Sequence, residues 1–266
     1  MLHNLAQLPR YRGLIQSLVA RELKARYRGS VLGFFWSFIN PLTLLLIYTF
    51  VFKYVMPAAV QGVSNYPLFM FCGLLPWTWF ASSLVESSGV LISGGNLIKK
   101  VLFPAEILPI VTVTANMIHF FLALPILVVF LIYYKAPLTI AELVWFPVVV
   151  AVQYLFTLSC ALLLSALTVH FRDIRDILSN VLTLWFFGTP IIYSYLHLPE
   201  TAKPFMKYMN LNPFVHLAIS YQEILFFEGP FGHWRWLLAL GGVSLILFLG
   251  AYWTFDRLRD SFAEEV

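Results

Sequence analysis

The sequence predicts an all-α integral membrane protein: six transmembrane helices, an N-terminal amphipathic helix at the interface and a re-entrant hairpin on the outer face, in one domain spanning 1–266. Three observations carry this. Hydrophobic residues are 60% of the chain and charged residues 11%, less than half the about 25% of ordinary soluble domains. Mean hydropathy is +0.81, and 17 Lys+Arg with 13 Asp+Glu cannot cover a water-facing surface of this size. The charge-free runs also reach, again and again, the about 20 residues a spanning helix needs. A soluble enzyme, a nucleic-acid-binding domain and a disordered tail are thereby excluded.

Taken in order, 10–29 is basic and amphipathic. In "RYRGLIQSLVARELKARYRGSVLG", Ser17, Arg21, Lys24 and Arg28 fall within about 60° of one another at helical spacing. Leu14, Leu18 and Ala25 flank them, with Ile15, Val19 and Leu23 beyond. The first 29 residues are polar and basic, so no cleavable signal peptide is expected. The spans follow within 31–255: Val31–Phe52, then Tyr66–Val85 after a turn at Pro57, Gly62 and Pro67, then 107–134, 143–171, 177–199 and 236–255. Between the second and third, Ser87–Gly95 reads as a Ser/Gly-rich loop. Asn96–Phe103 reads as a short basic helix and Pro104 as the start of the next span. The segment 198–233 holds a 15-residue uncharged run, 208–222, broken by Asn212 and Pro213. It is too short to cross and reads as the hairpin, whose backbone must be shielded from lipid.

Six spans put both termini on one side. With the N-terminus cytoplasmic, that side holds Arg10, Arg12, Arg21, Lys24, Arg26, Arg28, Lys99, Lys100, Arg172, Arg175, Arg257 and Arg259. Only Lys53, Lys135, Lys203, Lys207 and Arg235 fall outside. Positive charge accumulates on the cytoplasmic side of membrane proteins, so both termini are expected there.

Several chemistries are missing. The chain has no G-x-x-x-x-G-K-[ST] loop for nucleotide, no H-E-x-x-H, no C-x-x-C and no G-x-S-x-G. No metal site and no bound cofactor are expected. Cys72 and Cys160 lie in apolar runs as small hydrophobes. The six histidines are scattered, and only His119 falls deep in a span, where a hydrogen-bonded helix contact is the expected role. Glu86 and Glu106 fall at span ends. Without membrane-embedded acids an ion-driven carrier is disfavoured. A transport protein lacking both acids and a nucleotide loop must take its energy from elsewhere.

Three further features carry information. The basic 10–29 helix suits a plain topological anchor, a docking surface for a cytoplasmic protein or a cationic site for a pyrophosphate-bearing lipid; these stay open. The turn "HFRDIRD" (His170–Asp176) suits a salt-bridge cluster or a gate. The 25 Phe, 13 Tyr and 8 Trp include Phe34–Phe35–Trp36–Phe38 and Trp77–Trp79–Phe80 at span ends. Interfacial belts explain many of them, and the excess also suits a passage for sugars, whose C–H faces stack on rings.

Six blocks in order carry a resemblance: "RELKARYRGSVLGFFWSFINP" (Arg21–Pro41), "GLLPWTWF" (Gly73–Phe80), "NLIKKVLFPAEILP" (Asn96–Pro109), "FRDIRDIL" (Phe171–Leu178), "TPIIYS" (Thr189–Ser194) and "LNPF" (Leu211–Phe214). Together they cover nearly the whole chain. The sequence resembles the membrane permease subunits of ABC exporters for lipid-linked polysaccharide, the O-antigen, capsular and teichoic-acid family. The resemblance implies a homodimer in the bacterial cytoplasmic membrane, enclosing a channel, with two ATPase subunits that bind ATP and Mg beneath it. It implies an undecaprenyl-pyrophosphate-linked polysaccharide as substrate, membrane lipids as surroundings and no nucleic acid. Partner coupling then falls to Arg21, Lys24, Arg28, Asn96, Lys99, Lys100, Phe103 and Pro104. Lipid pyrophosphate falls to Arg21, Arg26 and Arg28. Channel aromatics are Phe34, Phe38, Tyr48, Trp77, Phe80 and Tyr193; gate residues are Arg172, Asp173, Pro190, Asn212 and Pro213. Two other readings remain open. One is a drug or lipid exporter of the same superfamily. The other is a membrane-embedded glycosyl- or acyltransferase, which needs an Asp/Glu/His cluster that only "HFRDIRD" approaches.

Overall fold

The computed structural model describes residues 8–55, 63, 65–99, 103–197, 204 and 206–265. Among them there is no strand, and eight helices of 13 residues or more form the frame. They are α1 (Arg12–Tyr27), α2 (Trp36–Thr49), α3 (Tyr66–Ser93), α4 (Ile107–Tyr133), α5 (Phe146–His170), α6 (Ile174–Phe187), α7 (Pro213–Leu225) and α8 (Trp234–Glu265).

Among the described residues, five helices are long and apolar enough to cross a membrane: Trp36–Val55, Tyr66–Ser93, Ile107–Tyr133, Ile140–His170 and Trp234–Phe262. The expected fifth span is different. The uncharged run 177–199 yields only α6, which has 14 residues and rises about 21 Å against a hydrocarbon core of about 30 Å. The helix stops at Gly188, and Thr189 folds its hydroxyl back onto the Trp185 carbonyl at 2.8 Å. Pro190 follows, which has no N–H to extend the ladder and biases the preceding residue away from helix.

Two other boundaries move. Gly29 and Gly33 adopt φ of +79° and +48°, a region that favours glycine, so the first span starts at Trp36 instead of Val31. The second span runs to Ser93, through the stretch expected as a Ser/Gly loop. Three of its serines are accommodated within the helix by turning their hydroxyls onto carbonyls one turn back: Ser83 to Trp79 at 2.7 Å, Ser88 to Val85 at 2.7 Å and Ser93 to Val90 at 3.2 Å.

Helix α3 is the axis of the bundle, and Phe69, Met70, Phe71, Cys72 and Phe80 along it are fully enclosed. Helices α4, α5 and α7 pack around it. Helices α5 and α8 lie side by side, close enough for Ser159 to donate to the Ser244 carbonyl at 3.2 Å. A Cβ on Gly241 would sit 3.3 Å from Val152 Cγ2, so a bare backbone suits this crossing. On α1, Leu18 and Val19 are buried against Ile107, Val111 and Ala115 of α4, while Ser17, Arg21, Lys24 and Arg28 face outward.

The start of α4, the ends of α5 and α8, and α1 meet at one end of the bundle. There Arg259 reaches the buried Glu106 at 3.7 Å, and His170 bonds Ser261 at 3.0 Å. This is the basic end, with Lys99, Arg172, Arg175 and Arg257 joining the cations of α1.

Candidate functional site

Helices α2 and α6 stand on either side of α3 and leave a cleft of about 450 Å3. Its upper wall is aromatic. Tyr48 of α2 meets Phe186 of α6 with ring centres 5.5 Å apart, and Trp77 of α3 meets Phe186 at 5.7 Å. Its lower wall carries hydroxyls, Thr78, Ser82, Ser179 and Thr183, and ends on the carboxylate of Glu86. Rings and hydroxyls on one surface can hold a sugar by stacking and hydrogen bonding without a single tight site.

A second cavity of about 390 Å3 opens between α1, α2, α3 and α4. It shares Thr78 and Ser82 with the cleft and adds Ser37, Asn40, Asn116 and His119. The Tyr27 hydroxyl lies 3.0 Å from His119 Nδ1, and Ser37 Oγ 3.3 Å from the same nitrogen. Tyr27 and Ser37 also bond each other. His119 is thus the hydrogen-bonded helix contact its position in the sequence suggests, and it ties α1 and α2 to α4.

Between the two cavities lies a closed polar ring. Arg26 Nη2 donates to Glu86 Oε2 at 2.7 Å, and Arg26 Nη1 to Asn116 Oδ1 at 3.2 Å. Asn116 Nδ2 donates to the same Glu86 oxygen at 2.6 Å and to the Thr112 carbonyl at 3.1 Å. Three helices are joined by one carboxylate. Charge-assisted bonds of this length are roughly twice as strong as neutral ones.

The expected site residues fall into separate groups. Arg21, Lys24 and Arg28 are exposed on α1, whereas Arg26 is engaged in the ring. Asn96 and Lys99 are exposed on a single helical turn, Gly95–Ile98, and its following residue. Lys100 lies outside the described residues, as do 101 and 102. Phe103 packs against the main core and against the Leu18–Val19 contact with α4, and Pro104 is buried. Of the six aromatics, Tyr48 and Trp77 line the cleft. Phe80 is enclosed within α3's core, its ring 4.9 Å from Phe214 and 5.6 Å from Phe156. Phe38 and Tyr193 are half-buried, and the side chain of Phe34 lies outside the described set.

The five gate residues divide between the two ends of α6. Arg172 and Asp173 are exposed at the α5–α6 turn. Pro190, Asn212 and Pro213 gather beyond its other end, where Asn212 is the joint. Its Oδ1 caps α7 by accepting from Phe214 N at 3.0 Å and also accepts from Trp185 Nε1 at 2.6 Å. Its Nδ2 donates to Thr189 Oγ1 at 3.0 Å and to the Gly188 carbonyl at 3.3 Å. Gln222 donates to the Pro190 carbonyl at 2.7 Å, so both ends of α7 hold the break after α6. Near the same end His216 Nδ1 meets His233 Nε2 at 2.9 Å, and Trp236 stacks on His216 at 4.7 Å.

Sequence reasoning missed Asn116, Thr78 and Ser82, and it read Glu86 as a span-end charge. The available signal was that Glu86 interrupts an otherwise uncharged helix, and an acid within a span is a functional candidate in its own right.

A bundle of long apolar helices with polar clefts between them is the architecture of a multi-pass membrane protein. The chain belongs to the ABC-2 type transporter membrane family, whose model matches residues 13–226. It is 43% identical over 268 residues to the O-antigen export system permease protein RfbA of Myxococcus xanthus, covering 100% of both chains. It is 34% identical over 251 residues to the protein of that name from Klebsiella pneumoniae, covering 94% of each. The polysialic acid transport protein KpsM of Escherichia coli matches at 26% over 217 residues, 77% of this chain and 78% of that one.

Proposed function

We propose that this chain is the transmembrane permease subunit of an ATP-driven exporter of lipid-linked polysaccharide of the O-antigen type. The observation that carries the reading is the end-to-end match, at 43% identity, with an O-antigen export permease. The more distant KpsM match concerns polysialic acid, so both names point to a polysaccharide cargo.

Two copies pair in the bacterial cytoplasmic membrane with the basic end toward the cytoplasm, and two ATPase subunits dock beneath them. The exposed cations of α1 and the Asn96–Lys99 turn are the coupling surface, next to Pro104 and the start of α4. Glycan passes along the cleft between α2, α3 and α6, over Tyr48, Trp77 and the hydroxyls of Thr78 and Ser82. Within the 198–233 segment, α7 closes the outer end, with Asn212 tying its start to the break after α6. Binding and hydrolysis of ATP belong to the partner; this chain supplies the passage.

The test is reconstitution. The permease, co-purified with a candidate ATPase partner, is placed in liposomes and the transfer of lipid-linked glycan is followed. ATP-dependent transfer that vanishes without the ATPase is expected. Transfer by the permease alone, or failure of the two proteins to associate, would overturn the reading.

A further inference from the structure

We propose that Glu86 is an internal stand-in for the substrate's phosphate: it occupies Arg26 until an anionic lipid headgroup displaces it, and that exchange opens the passage between the two cavities. The inference rests on the lipid-linked cargo proposed above and adds the residues that admit it.

The geometry supplies four supports. Arg26 and Asn116 line the cavity near α1, and Glu86 lines the translocation cleft. The Arg26–Glu86–Asn116 ring therefore lies where the two spaces adjoin, beside Thr78 and Ser82, which both share. A single Glu86 oxygen receives both Arg26 and Asn116, at 2.7 and 2.6 Å. Losing that oxygen removes the side-chain ties of Arg26 and Asn116 to α3 at once.

The pair is not sealed: the Arg26 and Glu86 side chains are 29% and 37% exposed, so an incoming ligand can reach them. Arg26 spends two N–H groups on the ring and keeps others for the cavity, where Tyr27, Ser37, Asn40 and His119 supply further polar contacts. A phosphate presents more charge and more acceptor oxygens to a guanidinium than a carboxylate does. The fourth support concerns the rest of the ligand. A groove lined by Leu23, Lys24, Tyr27, Arg28 and Leu122 adjoins the cavity through Tyr27. Apolar stems beside cationic heads suit an amphiphile with an apolar tail, and that favours a lipid over free phosphate.

The exchange has a sign that a structural role lacks. If Glu86 only braces the bundle, removing it weakens binding or leaves it unchanged. If it competes with the ligand, removing it strengthens binding. The full chain in nanodiscs of zwitterionic lipid is titrated with farnesyl pyrophosphate, inorganic pyrophosphate and farnesol. Glu86→Gln, and Glu86→Ala as a second variant, should bind farnesyl pyrophosphate about tenfold more tightly than the wild type, about 1.4 kcal/mol. Arg26→Gln should lose at least tenfold, and farnesol should not bind. Unchanged or weaker binding by both Glu86 variants overturns the proposal, as does a wild type that ignores farnesyl pyrophosphate. Equal affinity for inorganic pyrophosphate overturns the assignment to a lipid. A wild type that exports glycan with its ATPase while the Glu86 variants gain nothing sinks this inference alone; absence of ATP-dependent export sinks the reading beneath it.

Discussion

Asn212→Ala is the sharpest test of how the break after α6 is held. The side chain caps α7 and takes the Trp185 indole N–H at 2.6 Å. It also donates to Thr189 and to the Gly188 carbonyl at 3.0 and 3.3 Å. Losing an Asn cap to Ala costs about 1 kcal/mol. Leaving a buried donor such as the Trp185 N–H unpaired costs about 1–3 kcal/mol, and Trp185 is half-buried, which favours the middle of that range. The two losses come to about 3 kcal/mol, or about 6–12 °C in melting temperature for a chain of this size. Thermal unfolding in detergent, followed by tryptophan emission, reads it directly. Asn212→Asp keeps Oδ1 and loses the Nδ2 donor, so it should fall between wild type and Ala. A drop below about 2 °C for Ala would mean the joint is carried by packing, and the hydrogen-bond argument would be wrong.

Three further outcomes follow from other parts of the molecule. Replacing Lys99 and Lys100 by Glu should leave the permease folded but reduce glycan transfer per ATP hydrolysed in proteoliposomes; an unchanged ratio would reduce this segment to a topology signal. A Cβ on Gly94 would lie 2.6 Å from Leu108 Cδ1 and 2.9 Å from the Val90 carbonyl. Gly94→Ala should therefore lower stability by about 1–3 kcal/mol, read as a drop in melting temperature; an unchanged value would mean the Leu108 side chain moves aside freely. At the end of the bundle away from the basic one, burial and the neighbouring His216 push the proton affinity of His233 down from 6.5 to about 4. His216 is lowered in the same direction by burial. Glu223 faces His233 by accepting from its backbone N–H at 3.0 Å. Between about pH 6.5 and 4 the unfolded chain takes up a proton that folded His233 refuses, so stability should fall as pH drops through that window. His233→Gln should flatten the fall in a melting-temperature series against pH.

The spans were legible because hydropathy and bilayer thickness act locally. Long charge-free runs without a backbone stop form the spanning helices, as in Ile107–Tyr133 and in 236–255 within Trp234–Phe262. The run 177–199 misled because hydropathy does not register a backbone stop; Gly188 and Pro190 ended the helix inside it. The Ser87–Gly95 stretch misled in the opposite sense. Ser and Gly signal a loop where water competes for backbone groups, yet here Ser87 and Ser88 are buried and the hydroxyl of Ser88 turns onto its own helix.

The sequence by itself determined the all-helical membrane class, the basic face of α1 and the absence of a nucleotide loop of the Walker type, since composition and short-range periodicity settle each of these. Only the tertiary structure decided that Arg26, Glu86 and Asn116 form one ring, that Thr78 and Ser82 border two cavities, and that Asn212 joins Trp185, Gly188 and Thr189. The physical reason is distance along the chain. Arg26 is 60 residues from Glu86 and 90 from Asn116, and partners that far apart meet only when helix packing fixes which faces converge.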